Sequence, residues 1–269
     1  MTDHSVNTES LLDVQAGSDA RNVKLDKVGV KNIRYPILVR DRSKNAQHTV
    51  GTINMFVDLP HQFKGTHMSR FLEVLNDHQG EISMDRVPEI LEAMRTRLHA
   101  ETAHFLVTFP YFMEKAAPVT GARGVMEYPC GFEAVAGGVE DFILTVNVTV
   151  TTLCPCSKEI SARGAHNQRG EVTLRVRFEG VLWIEEMVEV VEMAASCDLY
   201  PVLKREDEKF VTEKAFDSPR FVEDLVREVA VNLRRDGRIK WFEVQVENFE
   251  SIHAHNAYAG TMEWRTPPG

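Results

Sequence analysis

The sequence has few cysteines and no long apolar run, and each shortage excludes a class of protein. Four cysteines in 269 residues are too few for a disulfide scaffold, so we expect free or metal-bound thiols in a cytoplasmic protein. No apolar run reaches the roughly 18 residues of a membrane-spanning helix. The N-terminal stretch is polar and acidic, without the apolar core of a signal peptide. We therefore expect no membrane partner.

Basic residues are also in the minority. Lysine and arginine together number 31, against 40 aspartates and glutamates, and the formal net charge is −9. This balance argues against nucleic acid as a partner. It does not exclude a small phosphorylated ligand, which needs only a local basic pocket. The length is sufficient for one large domain or two small ones with a sizeable core.

Hydrophobic periodicity predicts an α+β fold with a repeated plan. Strands are predicted at TINMFVD, HFLVTF, FILTVNVTVTT, EVTLRVRF and FEVQVEN. Helices are predicted at GTHMSRFLEVLN, SMDRVPEILEAMRTRLHA, WIEEMVEVVEMAAS and SPRFVEDLVREVAVNLRRDG. In the last of these we expect Ser218 as the N-cap, Pro219 in the first turn and Gly237 at the end. The order strand–strand–helix–helix–strand–strand thus occurs twice.

This plan predicts the division of the chain and its assembly. We expect a flexible arm over residues 1–30, a first unit over 31–137 and a second over 138–269, which carries most of the candidate site residues. Antiparallel strands with helices on one face leave sheet edges open. Such edges are commonly covered by another subunit or closed into a barrel. We therefore expect a homo-oligomer; a monomeric α+β sandwich is the alternative.

The segment TTLCPCSKEIS places Cys154 and Cys156 on either side of a proline, and His166 follows twelve residues after Cys154. A loop of this length can bring the imidazole back beside the thiol, and the two together suit zinc or another borderline divalent metal. If the preceding strand continues to Cys156, both thiols face the same way. Pro155 instead favours a strand end, which can aim them differently. A buried structural cysteine pair is the alternative.

A second polar cluster, NFESIHAHNAYAG, follows a predicted strand. It contains Glu250, His253 and His255, and a strand end is a usual place for a catalytic loop. His253 is a candidate general acid or base, because imidazole titrates near neutral pH. Ordinary surface polarity at a strand end is the alternative.

Three further groups have a functional and an ordinary interpretation. Glu208 lies in KREDEKFVTEK, which reads as a solvated charged loop or as a source of a metal ligand. Glu223 precedes Arg227 by four residues, the spacing of a simple surface ion pair on a helix. The segment DLPHQFKGTHMSRF is either a polar helix start or a phosphate site. Its candidate phosphate ligands are Lys64, His67, Ser69 and Arg70.

Together the motifs CPCSKEIS…GAHNQRG, DLP…KGTHMSRF and NFESIHAHNA resemble those of the type IB GTP cyclohydrolases, over about residues 30 to 265. The resemblance implies the tunnelling fold (T-fold), with two tandem units per chain. It also implies barrels formed by subunit association, with active sites between subunits. The implied reaction converts GTP and water to formate and 7,8-dihydroneopterin triphosphate, the first step toward folate-type pterins.

The resemblance also implies roles for individual residues. Cys154 and His166 match the metal ligands, and Glu208 matches a third, carboxylate ligand. Cys156 matches a second thiol near the reacting ring, and His253 fits an acid/base or a further ligand.

Glu223 becomes the guanine anchor, since SPRFVEDL resembles the helix start that carries this carboxylate in type I cyclohydrolases. Glu250 is a weaker substrate-side candidate. We assign the triphosphate to Lys64, His67, Ser69 and Arg70, which a neighbouring subunit can supply. The expected assembly is a homotetramer.

The resemblance leaves the metal and two rival functions open. A Cys/His/Glu ligand set takes zinc, while its carboxylate also admits manganese or ferrous iron. The related T-fold nitrile reductases need a Glu-Ser-Lys signature, whereas Ile252 and His253 follow Glu-Ser here. A non-catalytic metal-binding or redox-thiol protein, or a structural oligomer, is the other alternative.

Overall fold

The computed structural model describes residues 15, 17–42, 46–78, 82–83 and 85–265. Its strands are β1 (Leu25–Val39), β2 (Gln47–Leu59), β3 (Ala103–Ala116), β4 (Arg123–Ala136), β5 (Asp141–Leu153), β6 (Asn167–Phe178), β7 (Cys197–Asp198), β8 (Ile239–Asn248) and β9 (Ala257–Trp264). Its helices are α1 (Ser69–Asp77), α2 (Val87–Leu98), α3 (Pro155–Ile160), α4 (Ile184–Ala194), α5 (Arg205–Asp217) and α6 (Val222–Arg235).

All strands join one antiparallel sheet, which confirms the α+β class. The order is β1-β2-β3-β4-β5-β6-β8-β9, and the short β7 pairs with β5. Each predicted strand segment lies inside an observed strand, and α1, α2, α4 and α6 overlap the predicted helices. Within the described chain, no helix is long and apolar enough to cross a membrane.

The main core lies between one face of the sheet and four helices. Helix α2 packs on β2, β3 and β4, α4 packs on β5, and α6 packs on β8 and β9. Alternate residues of each strand face these helices, such as Val146, Val148 and Val150 of β5. Helix α5 instead covers the opposite face at the end of β5, through a separate small cluster of Leu153, Cys197 and Ala215.

Three local predictions are corrected by the structure. Residues 25–30 of the predicted arm belong to β1, where they pair with β2; residues 1–14 and 16 lie outside the described part. Helix α6 begins at Val222 rather than at Ser218, because Asp224 accepts a hydrogen bond from the backbone N–H of Phe221. The charged segment KREDEKFVTEK is helix α5 rather than a loop.

The candidate residues lie at two different ends of the sheet. Neighbouring strands along the main order are antiparallel, so β2 ends at the same end of the sheet where β5 begins. We name this the Asp141 end. The other end, where β5 finishes, β6 begins and β8 finishes, is the Cys154 end. β5 has 13 residues, so the two ends are roughly 40 Å apart at about 3.3 Å per residue.

Candidate active site at the Cys154 end of the sheet

The two thiols of the Cys-Pro-Cys segment occupy different elements. Strand β5 stops at Leu153, and Cys154 is the N-cap of α3, where its sulfur accepts a hydrogen bond from the N–H of Ser157 at 3.4 Å. Cys156 lies inside α3 and is exposed. The strand therefore does not continue to Cys156, and of the two alternatives the strand end at Pro155 is the observed one.

A closed loop brings His166 back to Cys154. The N–H of Cys154 donates to the carbonyl of His166 at 3.1 Å. The hydroxyl of Ser157 donates to the carbonyl of Cys154 at 3.1 Å and accepts from the N–H of His166 at 3.2 Å. Gly164 has φ = 139°, a conformation that favours glycine, where the chain turns into β6. The predicted return of the imidazole to the thiol thus has a backbone cause.

The imidazole of His166 is held through its Nδ1. The side-chain oxygen of Gln168 lies 3.1 Å from Nδ1, while the amide nitrogen of Gln168 donates to the Thr152 hydroxyl at 2.9 Å. Because the oxygen of Gln168 is the acceptor, Nδ1 carries the proton and Nε2 carries the lone pair. A metal-binding histidine commonly uses its second nitrogen in this way. Nε2 is therefore the nitrogen that can take a metal.

The loop after β8 supplies the other side of the site. Ser251 Oγ lies 3.3 Å from His166 Nδ1, and Glu250 Oε2 lies 3.9 Å from the same atom. The Glu250 side chain is only 11% exposed. The His253 ring stands edge-on to His166 at 6.4 Å and stacks on His255 at 5.3 Å. Glu250 and His253 therefore lie beside His166, as their grouping in the sequence predicted.

The start of α6 also reaches this end of the sheet. The N–H of Arg220 donates to the carbonyl of Leu153 at 2.9 Å, one residue before Cys154. Glu223 is exposed and, among the described residues, has no ion-pair partner, while Arg227 pairs with Asp224 at 3.5 Å. The surface ion pair between Glu223 and Arg227 is therefore not formed. The Glu223 carboxylate is available to a ligand.

The third predicted metal ligand, Glu208, does not form a metal-binding group with Cys154 and His166 in the described structure. Glu208 is exposed on the first turn of α5, and the described residues contain no group of three His, Cys, Asp or Glu side chains arranged to hold a metal. The neighbouring Asp207 is buried. Burial raises the pKa of Asp207, but hydrogen bonds from Thr120, Lys204 and Val119 outweigh it and hold that pKa well below its usual range.

The donors at this end nevertheless fit a divalent metal in their chemistry. Cys154 offers a sulfur and His166 offers Nε2, while Glu208 carries a carboxylate on the first turn of α5. Thiol and imidazole suit zinc, and the carboxylate extends the range to manganese and ferrous iron. The hydrogen bond between Gln168 and His166 is the kind of support that orients a metal-bound imidazole.

The predicted phosphate-binding residues, Lys64, His67, Ser69 and Arg70, lie at the Asp141 end of the sheet instead. Two of these residues, His67 and Arg70, line a small cavity of about 230 Å³ together with Asp58 and Thr66. Arg70 donates to the backbone carbonyl of Arg97 at 3.2 Å, and Lys64 and Ser69 are exposed. Cys154 is roughly 40 Å away along the strands, farther than a nucleoside triphosphate reaches. One GTP molecule cannot contact both regions of one chain.

Sequence reasoning missed Ser157, Gln168 and Ser251, which fix the positions of Cys154 and His166. The sequence indicated a role for Gln168, because it follows His166 by two residues, and residues two apart on a strand point to the same face. Ser157 follows Cys154 by three residues, the spacing of a helix-cap hydrogen bond. The sequence did not indicate Ser251, because Ser251 and His166 are 85 positions apart in the chain.

Solved structures similar to this one include uricases. Urate oxidase from Bacillus sp. TB-90 matches with a TM-score of 0.53 and 8% sequence identity, over 90% of this chain and 100% of that chain. Uricase from Arthrobacter globiformis matches with a TM-score of 0.52 and 8% identity, over 91% of this chain and 95% of that one. At this level of identity the likeness concerns the fold alone.

Sequence relatives are much closer. GTP cyclohydrolase FolE2 of Syntrophobacter fumaroxidans is 56% identical over 254 residues, covering 93% of this chain and 98% of the relative. GTP cyclohydrolase FolE2 of Magnetococcus marinus is 58% identical over 250 residues, covering 93% of this chain and 94% of the relative. The family model described as type I GTP cyclohydrolase folE2 matches residues 11–259. The chain therefore belongs to the type I GTP cyclohydrolase FolE2 family.

Proposed function

We propose that this chain hydrolyses GTP to formate and 7,8-dihydroneopterin triphosphate at the Cys154 end of its sheet. Family membership supports the reaction. The single observation that carries the location is the pairing of Cys154 with a His166 whose Nδ1 is held and whose Nε2 is available. A nitrile reductase or a non-catalytic thiol protein finds no corresponding support in the comparisons.

The site takes one divalent metal, since the family is metal-dependent. We assign Cys154, His166 and Glu208 as its ligands, with manganese, zinc or ferrous iron as the metal. When bound, the metal lowers the pKa of a water molecule, so that hydroxide is available near neutral pH for attack on C8 of guanine. Glu208 stands on α5, which Asp207 fixes to the turn between β3 and β4 through Thr120.

Glu223 binds the guanine. A carboxylate accepts hydrogen bonds from two neighbouring N–H groups of the base at once, and such paired contacts fix orientation as well as energy. Asp224 already caps α6, so Glu223 is the first-turn carboxylate that stays available. Glu250 is a further substrate contact, because it lies beside His166 and is mostly buried.

Ring opening, loss of formate and reclosure as a pterin all need proton transfers. His253 is placed for this work, because it is exposed beside His166 and an imidazole can both donate and accept a proton. Cys156 lies on the first turn of α3, two residues beyond Cys154, and is exposed. We assign Cys156 to the substrate rather than to the metal.

The active molecule is a homo-oligomer, for which a tetramer is the expected state. The proposed phosphate-binding residues lie too far from Cys154 of their own chain, so a neighbouring subunit supplies them. They are Lys64, His67, Ser69 and Arg70. The repeated order of strands and helices fits two tandem T-fold units whose open edges, β1 and β9, close a barrel between subunits. Location in the cytoplasm stays a prediction.

The test is formate release from GTP by purified protein stripped of metal with a chelator. Added manganese, zinc or ferrous iron should restore formate, together with a pterin that fluoresces after oxidation. A protein that binds metal yet releases no formate with any of the three contradicts the proposal and favours a non-catalytic metal-binding role.

A further inference from the structure

A second cleft, of about 530 Å³, lies on the opposite face of β5 and β6 from His166. Its floor is the two strands and its roof is α5. The roof residues are Val211, Thr212 and Ala215, and Tyr200 and Met126 form walls. A volume of this size is typical of sites for small molecules.

The floor presents four polar side chains that face the cleft. Among the described residues, no side-chain hydrogen bond or ion pair is made by Thr149, Thr151, Asn167 or Arg169. Thr151 stands directly opposite Arg169 in the ladder, and Thr149 stands opposite Glu171. Glu171 follows Arg169 on the same face but forms no ion pair with it in the described structure. The guanidinium therefore has its donors available.

Asp198 also lines the cleft, and two lysines outside the lining pair with it. Lys115 lies 2.6 Å from Glu192 and 3.3 Å from Asp198, and Lys214 lies 2.8 Å from Asp198. Two cations thus face two carboxylates. Arg169 is the one cation among the described residues that line the cleft, and its unpaired donors can take an anionic group. A guanidinium with free donors matches phosphate geometry well.

The roof of the cleft is fixed at both of its ends. Asp207 accepts hydrogen bonds from the N–H groups of Val119 and Thr120, both at 2.9 Å. At the other end of α5, the ammonium of Lys158 donates to the carbonyl of Phe216 and lies 4.3 Å from the centre of its ring. The cleft is therefore formed without a ligand, which lowers the cost of binding one.

The cleft reaches the place where the reaction is assigned. Its floor ends at Asn167, which pairs with Leu153, and the next residues outward are His166 and Cys154. We propose that the cleft receives the phosphate chain of GTP and that Arg169 is a phosphate-binding residue in the same chain as Cys154. This rests on the proposed function, and it adds a contact from the same chain to those expected from the neighbouring subunit.

The test compares GTP with guanosine, which lacks the phosphates. Arg169→Gln should raise KM for GTP by roughly 10- to 100-fold, because it removes a charge-assisted contact. It should leave the inhibition constant of guanosine unchanged. Arg169→Lys, which keeps the charge but loses the planar fork, should fall between Arg169→Gln and the wild type.

Arg163→Gln is the matched control, because Arg163 is equally exposed just before His166 but lies outside the cleft. It should change neither constant. An unchanged KM in Arg169→Gln, or an equal rise in both constants, overturns the assignment of Arg169. Absence of formate release by the wild-type protein is a different result, which contradicts the proposed function itself.

Discussion

The two halves of the chain share an order of elements but differ in what they add to it. The first half runs β1-β2-α1-α2-β3-β4, and the second runs β5-β6-α4-α6-β8-β9. Within the described residues, α3, β7 and α5 occur only in the second half. Both halves contribute to one core on the helix-covered face.

The added elements carry several of the residues that are proposed for the chemistry. Helix α3 carries Cys156 and is capped by Cys154, while α5 carries Glu208 and roofs the cleft above Arg169. The first half contributes a basic segment after β2, at the other end of the sheet. The comparison teaches that the repeated elements build the core, while the proposed reactive groups gather at one end of the sheet, partly on the elements that only the second half has.

The largest effect is expected from the second half. His166→Ala and Cys154→Ala should each lose bound metal and reduce formate release at least about 1000-fold, because a bound metal lowers the pKa of its water to about 7. Metal content and formate are measured on the same samples. Cys156→Ala is the control, and it should keep the metal. Loss of metal from Cys156→Ala as well contradicts the separate roles of the two thiols.

Two adjacent carboxylates on α6 separate an effect on substrate binding from an effect on the stability of the fold. Glu223→Gln should raise KM for GTP about 100-fold or more by removing two charge-assisted contacts, with metal content unchanged. Asp224→Asn should leave KM unchanged and lower the free energy of unfolding by about 1 kcal/mol, since it weakens a helix cap. Steady-state kinetics and urea unfolding measure the two effects. Normal turnover by Glu223→Gln overturns the guanine assignment.

The two ends of the sheet are compared by mixing chains. Cys154→Ala chains lack the metal site, and chains with both Lys64→Gln and Arg70→Gln lack the phosphate-binding side chains. If each site combines two subunits, chains mixed one to one and reassembled should regain about a quarter of wild-type activity, because one site in four then has both intact parts. Mixing that restores no activity shows that the two regions do not meet in one site.

Around the cleft, the expected effect is on stability rather than on activity. Burial raises the pKa of Asp198, but the hydrogen bond from Lys214 and the charge of Lys115 outweigh it and hold the pKa below its usual range. Asp198 therefore stabilises the folded state above its unfolded pKa of about 3.9, and this contribution is lost as pH falls through the folded value. Asp198→Asn should cost about 2 kcal/mol at pH 7.

Urea unfolding of the Asp198→Asn variant between pH 7 and pH 2 checks how the stabilisation by Asp198 depends on pH. The difference in unfolding free energy from the wild type should shrink as the pH falls below about 3.9. A difference that is constant over this range contradicts the charge interaction. Glu213→Gln is the control, because Glu213 forms an exposed ion pair with Lys209 on the same helix, and such pairs contribute little.

The frame could be predicted from the sequence because its elements have strong periodicity. Alternation along β5 and the apolar stripe of α6 each specify one buried face. Helix α5 was missed because charged residues dominate it and its buried face has little more than Val211 and Ala215. The start of α6 was misplaced because Ser218, a plausible cap, instead ends α5.

The site was predictable only where its parts are close in sequence or share a strand end. Cys154 and His166 meet through one short loop, and Glu250 and His253 follow the adjacent strand. The opposite placement of Lys64 was not visible, because it depends on the direction of each strand in the sheet rather than on spacing along the chain. Arg169 was overlooked because its role depends on a helix that the sequence did not predict.

The most direct test of the account is an anomalous-scattering crystal structure of the protein loaded with manganese. The account predicts one metal per chain, bonded to the sulfur of Cys154 and to Nε2 of His166, with the Glu208 carboxylate as the third protein ligand. A metal held elsewhere, such as between His253 and His255 with Cys154 free, contradicts it.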